Sequence, residues 1–168
     1  MAFVGKPNIK PRLGVPTYGR LHASRVAAAL PQSTTDILFR VRGGKIRVLG
    51  LIGTVTTAIA AVDPVAKITS KALDNGSAVV GTAVDIATTV ALTSLELGGL
   101  IVAKCDGTAL TKANAGGGAA INGNAVVSQG EIYLTTGASV AGAVRWDLYY
   151  EQLDEGAFAS PNPVQVAI

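Results

Sequence analysis

Histidine and cysteine each occur once in this sequence, as His22 and Cys105, and charge of either sign is scarce. A single thiol closes no intramolecular disulfide, so the fold does not depend on oxidation, and the cysteine usage fits synthesis in a cytoplasm. Cys105 reads as a small hydrophobe at a strand end. One Cys and one His fall short of the three or four ligands of a protein zinc site. His22 also lies in a stretch interrupted by Pro7, Pro11, Pro16 and Pro31, where the rigid pocket that a catalytic base needs is not expected. The run Gly116-Gly117-Gly118 lacks the Gly-Lys-Ser/Thr ending of a phosphate-cradling loop. Asp147 and Glu151 would stand roughly 13 Å apart along a strand, too far for a glycosidase pair. No cofactor and no enzyme chemistry are expected.

Long hydrophobic runs are missing too. The apolar, charge-free stretch 48–62 is 15 residues long and is broken by Gly50 and Gly53, short of the ~20 that a spanning helix needs. Residues 1–7 show no apolar stretch behind a basic one, so no secretory signal is expected.

What is present is aliphatic. Hydrophobic residues make up 49% of the 168 positions and charged residues 15%, with 20 glycines, against a usual charged share near 25%. A single domain so poor in charge has trouble covering its own surface, which points to burial against other copies or a partner. The charge is also unevenly divided. Residues 1–47 hold nine Lys/Arg against Asp36 alone, while 48–168 hold five basic and ten acidic groups. A basic head on a mildly acidic body points to an electropositive arm or face seeking an acidic partner.

Residues 144–153 are the plainest structural signal. Val144, Trp146, Leu148 and Tyr150 share one parity and Arg145, Asp147, Tyr149 and Glu151 the other, the alternation of a half-buried strand. We read it as a central strand with Trp146 as core anchor and a solvated polar face. Further short strands are read at 65–73, 78–92, 100–104, 125–127 and 131–136, separated by Gly, Asp-Gly and Asn-Gly punctuation. The pattern predicts an all-β, jelly-roll-like β-sandwich of about eight to ten short strands; an open solenoid is the alternative, but no fixed-period repeat is visible.

The division expected is a basic arm at 1–32, a β-sandwich body at 33–156 and an irregular tail at 157–168. Prolines and glycines keep 1–32 from forming a long helix or a central strand, with about two helical turns expected within 20–30. Phe3, Ile9 and Leu13 among Lys6, Lys10, Arg12, Arg20 and Arg25 suit an extended arm laid over a neighbour, the alternative being a flexible terminus. Next, 36–42 and 45–48 alternate on either side of Gly43-Gly44, a two-residue hairpin signal. Ile37, Phe39 and Val41 would then line one face, with Phe39 a second core anchor. Arg40, Arg42, Lys45 and Arg47 would crowd the other, which suits carboxylates or phosphates opposite. Nucleic acid is the less favoured partner, because no aromatic side chain is interleaved with those cations.

Two sets of stretches resemble a family of small virion proteins of tailed bacteriophages. The first comprises Leu-Pro-Gln-Ser-Thr-Thr at 30–35, Leu-Phe-Arg-Val-Arg-Gly-Gly-Lys-Ile at 38–46 and Gly-Thr-Val-Thr-Thr-Ala-Ile at 53–59. The second comprises Gly-Glu-Ile-Tyr-Leu at 130–134, Val-Arg-Trp-Asp-Leu-Tyr-Tyr at 144–150 and Leu-Asp-Glu-Gly at 153–156. The resemblance implies a capsid decoration, or cement, protein of jelly-roll-like fold, trimeric, seated outside the major capsid lattice of the virion and binding the major capsid protein. Another class of reading is a carbohydrate- or host-surface-binding jelly roll on a virion fibre, for which only Tyr133 and Tyr149 offer exposed aromatics.

Overall fold

The computed structural model describes residues 19–60, 65–74, 78–79, 82–119, 121, 123–139 and 141–163. They form an all-β sandwich with two antiparallel sheets. In chain order the strands are β1 (Arg20–Ala29), β2 (Thr35–Arg42), β3 (Ile46–Thr57), β4 (Val65–Asp74), β5 (Ala78–Val79), β6 (Val84–Ala91), β7 (Leu100–Ala103), β8 (Thr111–Ala113), β9 (Ala125–Val127), β10 (Gly130–Thr136), β11 (Ala143–Gln152) and β12 (Phe158–Pro161). The first sheet runs β1-β11-β3-β7-β8, with β9 also paired to β3. The second runs β12-β2-β10-β4-β5, with β6 also paired to β4.

Strand β11 lies between β1 and β3, as its alternation predicts. Val144, Trp146, Leu148 and Tyr150 are buried in the core, while Arg145 and Tyr149 are exposed. Gly53 is the register partner of Trp146. A Cβ on Gly53 would stand 2.9 Å from both the Trp146 ring and Val144 Cγ1, so this glycine makes room for the indole rather than bending the strand. Gly50 does neighbour a bulge, since the β3–β11 register shifts between Tyr149 and Tyr150. From the second sheet Leu38, Phe39, Val41, Ile68, Ile132 and Leu134 complete the same core cluster. Tyr150 also joins the layers, its hydroxyl oxygen accepting the Ala159 amide at 3.2 Å.

Four expectations need correction. Residues 20–29 are a strand rather than helical turns, because pairing along β11 from Arg20↔Glu151 to Ala29↔Ala143 outweighs the weak local preference of an Ala-rich stretch. Leu30 and Pro31 are buried behind it, so the body begins well before residue 33. The tail at 157–168 is not irregular throughout: β12 pairs with β2 from Phe158↔Arg42 to Pro161↔Phe39.

The fourth correction bears most on function. Gly43-Gly44 does not close a hairpin, because β2 belongs to the second sheet and β3 to the first. Both glycines do have positive φ, at 74° and 141°, but they turn the chain across the sandwich. A Cβ on Gly43 would lie 2.4 Å from the Gly156 carbonyl oxygen, and the Lys45 amide donates to Asp154 Oδ2 at 2.8 Å. The corner is therefore clasped by the 153–157 turn, and the four cations expected on one ribbon face are divided between two sheets.

Candidate functional site

Each sheet has an outer face, and the described head-region cations lie at four different places. Phe3, Lys6, Ile9, Lys10, Arg12 and Leu13 are outside the described residues. Arg20 and Arg47 stand on the outer face of the first sheet and both reach Glu151, at 3.9 and 3.4 Å. Arg25 is not on a face at all. It is the register partner of Trp146, its side chain is 5% exposed, and Nη2 meets Asp36 Oδ2 at 2.5 Å while Nε donates to the Asn162 carbonyl at 3.3 Å. It stitches β1 to β2 across the open edge of the sandwich. Arg40 and Arg42 share the outward parity of β2, and Lys45 sits in the corner.

The outer face of the first sheet is a closed ionic and aromatic arrangement. Across β1 and β11 the pairs are Arg20↔Glu151, His22↔Tyr149 and Ser24↔Asp147. Asp147, nearly buried, accepts from His22 Nε2 at 3.0 Å and from Arg145 Nε at 3.2 Å. Burial by itself would raise the Asp147 carboxyl, but hydrogen bonds from Ser24 and His22 and the positive charge of Arg145 hold it below the usual carboxylate range. His22 is thus on a rigid strand, contrary to its expected place in a loose arm, and its partner is a carboxylate already engaged by two other groups. Its ring stacks on Tyr149 with centroids 4.8 Å apart. The next position in that row is Gly50, whose vacant side is filled by Ile121 at 3.1 Å from a notional Cβ. Ile121 thus lies over this sheet, and Val102 is buried apart from the main core.

The second sheet presents a different surface. Glu131 lies between Arg40 on β2 and Lys71 on β4. Its Oε1 is 3.3 Å from Arg40 Nε, although that nitrogen has no hydrogen bond of good geometry. Its Oε2 accepts a short bond from the Tyr133 hydroxyl. Burial, then the Glu131 hydrogen bond and charge, push the Tyr133 phenol up to about 12, with Arg40 opposing. Lys71 Nζ stands 5.6 Å over the Tyr133 ring. Further along, Lys67 Nζ meets Asp85 Oδ1 at 3.4 Å. Phe158, opposite Arg42, is 46% exposed.

Sequence reading missed Lys67, Lys71, Glu131 and Phe158 as members of this face. The signal for two of them was present: Lys67, Thr69 and Lys71 share one parity against Ala66 and Ile68. No group of three or more His, Cys, Asp or Glu suited to a metal occurs among the described residues. Cys105 is buried at φ 60°, and burial beside Asp106 pushes its thiol up to about 12. No protein family matches the chain, and no curated protein and no solved structure is significantly similar to it.

Proposed function

We propose that this chain is a non-enzymatic virion structural protein of a tailed bacteriophage, a decoration protein that binds the outside of the major capsid lattice and stabilises the head. One observation carries most of the weight. Large apolar side chains remain exposed on both sheets and the loops: Val26 in the β1 bulge (67%), Val84 at the start of β6 (65%), Leu97 (65%) and Val126 in β9 (61%). On a chain with so few charges to mask them, such groups favour cover by other protein surfaces. The resemblance of the stretches at 30–59 and in β11 to small phage virion proteins points the same way.

Strand order supports a jelly-roll reading. The principal strands follow β1-β11-β3-β7 in one sheet and β2-β10-β4-β6 in the other, with the chain crossing between layers at every link of these eight but β4 to β6. A homotrimer seated on the capsid is the assembly this reading favours. By binding only the assembled shell, the protein would shift it away from disassembly by mass action. The sugar-binding alternative gains little, because His22 occupies one face of Tyr149 and Lys71 stands over Tyr133.

The test is co-sedimentation of the purified chain with phage heads that lack it. Binding at a fixed number of copies per capsomer, with heads that then resist heat or chelator, is the expected result. A chain that stays at the top of the gradient overturns the proposal.

A further inference from the structure

The outer face of the second sheet holds cations that no ion pair among the described residues engages. Among the described residues it carries Arg40, Arg42, Lys67 and Lys71 against Glu131 and Asp85. Two cations are therefore in surplus, with the Tyr133 ring among them on β10 and the Phe158 ring on β12. By contrast, the first sheet's face pairs Arg20 and Arg47 with Glu151, and His22 and Arg145 with Asp147. Ile121 then caps part of it.

We infer that the outer face of the second sheet is a docking surface for a carboxylate-rich protein surface, which deepens the decoration reading by naming the side that meets the shell. Charge complementarity identifies the occupant. Surplus guanidinium and ammonium groups attract acids, and carboxylates match the planar guanidinium fork. Glu131 at the centre of the face is engaged by Arg40 and the Tyr133 hydroxyl, which leaves Arg42 and Lys71 as the surplus cations. The Tyr133 ring is also spoken for, its hydroxyl bound to Glu131 and Lys71 over its face, so it is not free to stack a base. Phe158 beside Arg42 supplies the apolar contact that a protein partner would cover.

Poly-L-glutamate titrated into isotopically labelled full-length protein at low salt tests this by amide chemical shifts, with duplex DNA as the comparison ligand. Poly-L-glutamate should shift residues 40–42, 67–71, 131–135 and 158 and leave 145–151 unmoved. The double variant K67E/K71E should bind poly-L-glutamate about tenfold more weakly, with Arg47→Glu on the first sheet without effect. Shifts confined to 145–151, or a double variant that binds as tightly as wild type, overturn the inference. Tighter binding of DNA at the same residues overturns the choice of partner. Head co-sedimentation is a separate readout: a protein that recognises poly-L-glutamate through the second sheet yet ignores phage heads retains this docking face and loses the decoration role.

Discussion

The two outer faces each take arginines from the basic head and further cations from the body, yet they end in different states. Strand β11 brings Asp147 and Glu151 to the first sheet's face, and these two carboxylates engage Arg20, His22, Arg47 and Arg145. Strand β10 brings only Glu131 to the second, where it is shared between Arg40 and a tyrosine hydroxyl. The difference teaches that clustering of charge along a chain says little about where free charge resides. Sheet neighbours decide it, since cross-strand partners stand about 5 Å apart whatever their sequence separation.

Beneath both faces the core sets the scale of any disruption. Trp146→Ala should cost about 3–5 kcal/mol and dismantle the two surfaces together, read from denaturant midpoints and from oligomer size. A variant melting within a degree or two of wild type would mean that β11 does not anchor the sandwich through its indole. Gly53→Ala pushes a methyl against the same ring and should cost about 1–3 kcal/mol.

Asp147→Ala comes next and separates the faces. It strands His22, Ser24 and Arg145 together, so a loss of about 1–3 kcal/mol is expected. Equal losses from Asp147→Ala and from Arg42→Ala would erase that contrast between the faces, because the surplus cations of the second sheet should be worth within ~0.5 kcal/mol for folding.

The faces should also fail at opposite ends of the pH scale. The Asp147 carboxyl is lowered in the fold, so its contribution is present above the unfolded value of 3.8 and is lost as pH falls through the lower folded value. The Tyr133 phenol is raised from 10.0 to about 12, so its contribution is complete below 10 and is lost as pH rises toward 12. Chemical denaturation across pH should show the acid-side slope reduced in Asp147→Asn and the alkaline-side slope reduced in Tyr133→Phe. Variants that exchanged those effects would show the two faces to be wrongly assigned.

Smallest of all is the reactivity of Cys105. Its buried thiol, raised to about 12, should not react with a disulfide reagent at neutral pH until the protein is unfolded. Rapid labelling of the native protein would show that the 104–107 turn opens.

Local pattern determined a good deal. The alternation at 144–151 was sufficient to identify a central strand, its buried side and its anchor, because parity maps directly onto the two faces of a sheet. The strands at 65–74, 100–103 and 130–136 were legible for the same reason, bounded by residues that suit turns. The Ala-rich 20–29 was not, since its side chains give little contrast between faces and only the ladder to β11 makes it a strand. Gly43-Gly44 announced positive φ truthfully, but a turn constrains two residues and not the sheet that the following strand joins. That choice rests on long-range pairing of β2 with β10 and of β3 with β11. It is why Arg25 came to be buried against Asp36, why Arg47 found Glu151, and why the surplus cations collected on the second sheet. Composition determined that this chain would be a poorly charged β-protein; tertiary pairing alone decided which of its faces was left with charge unpaired.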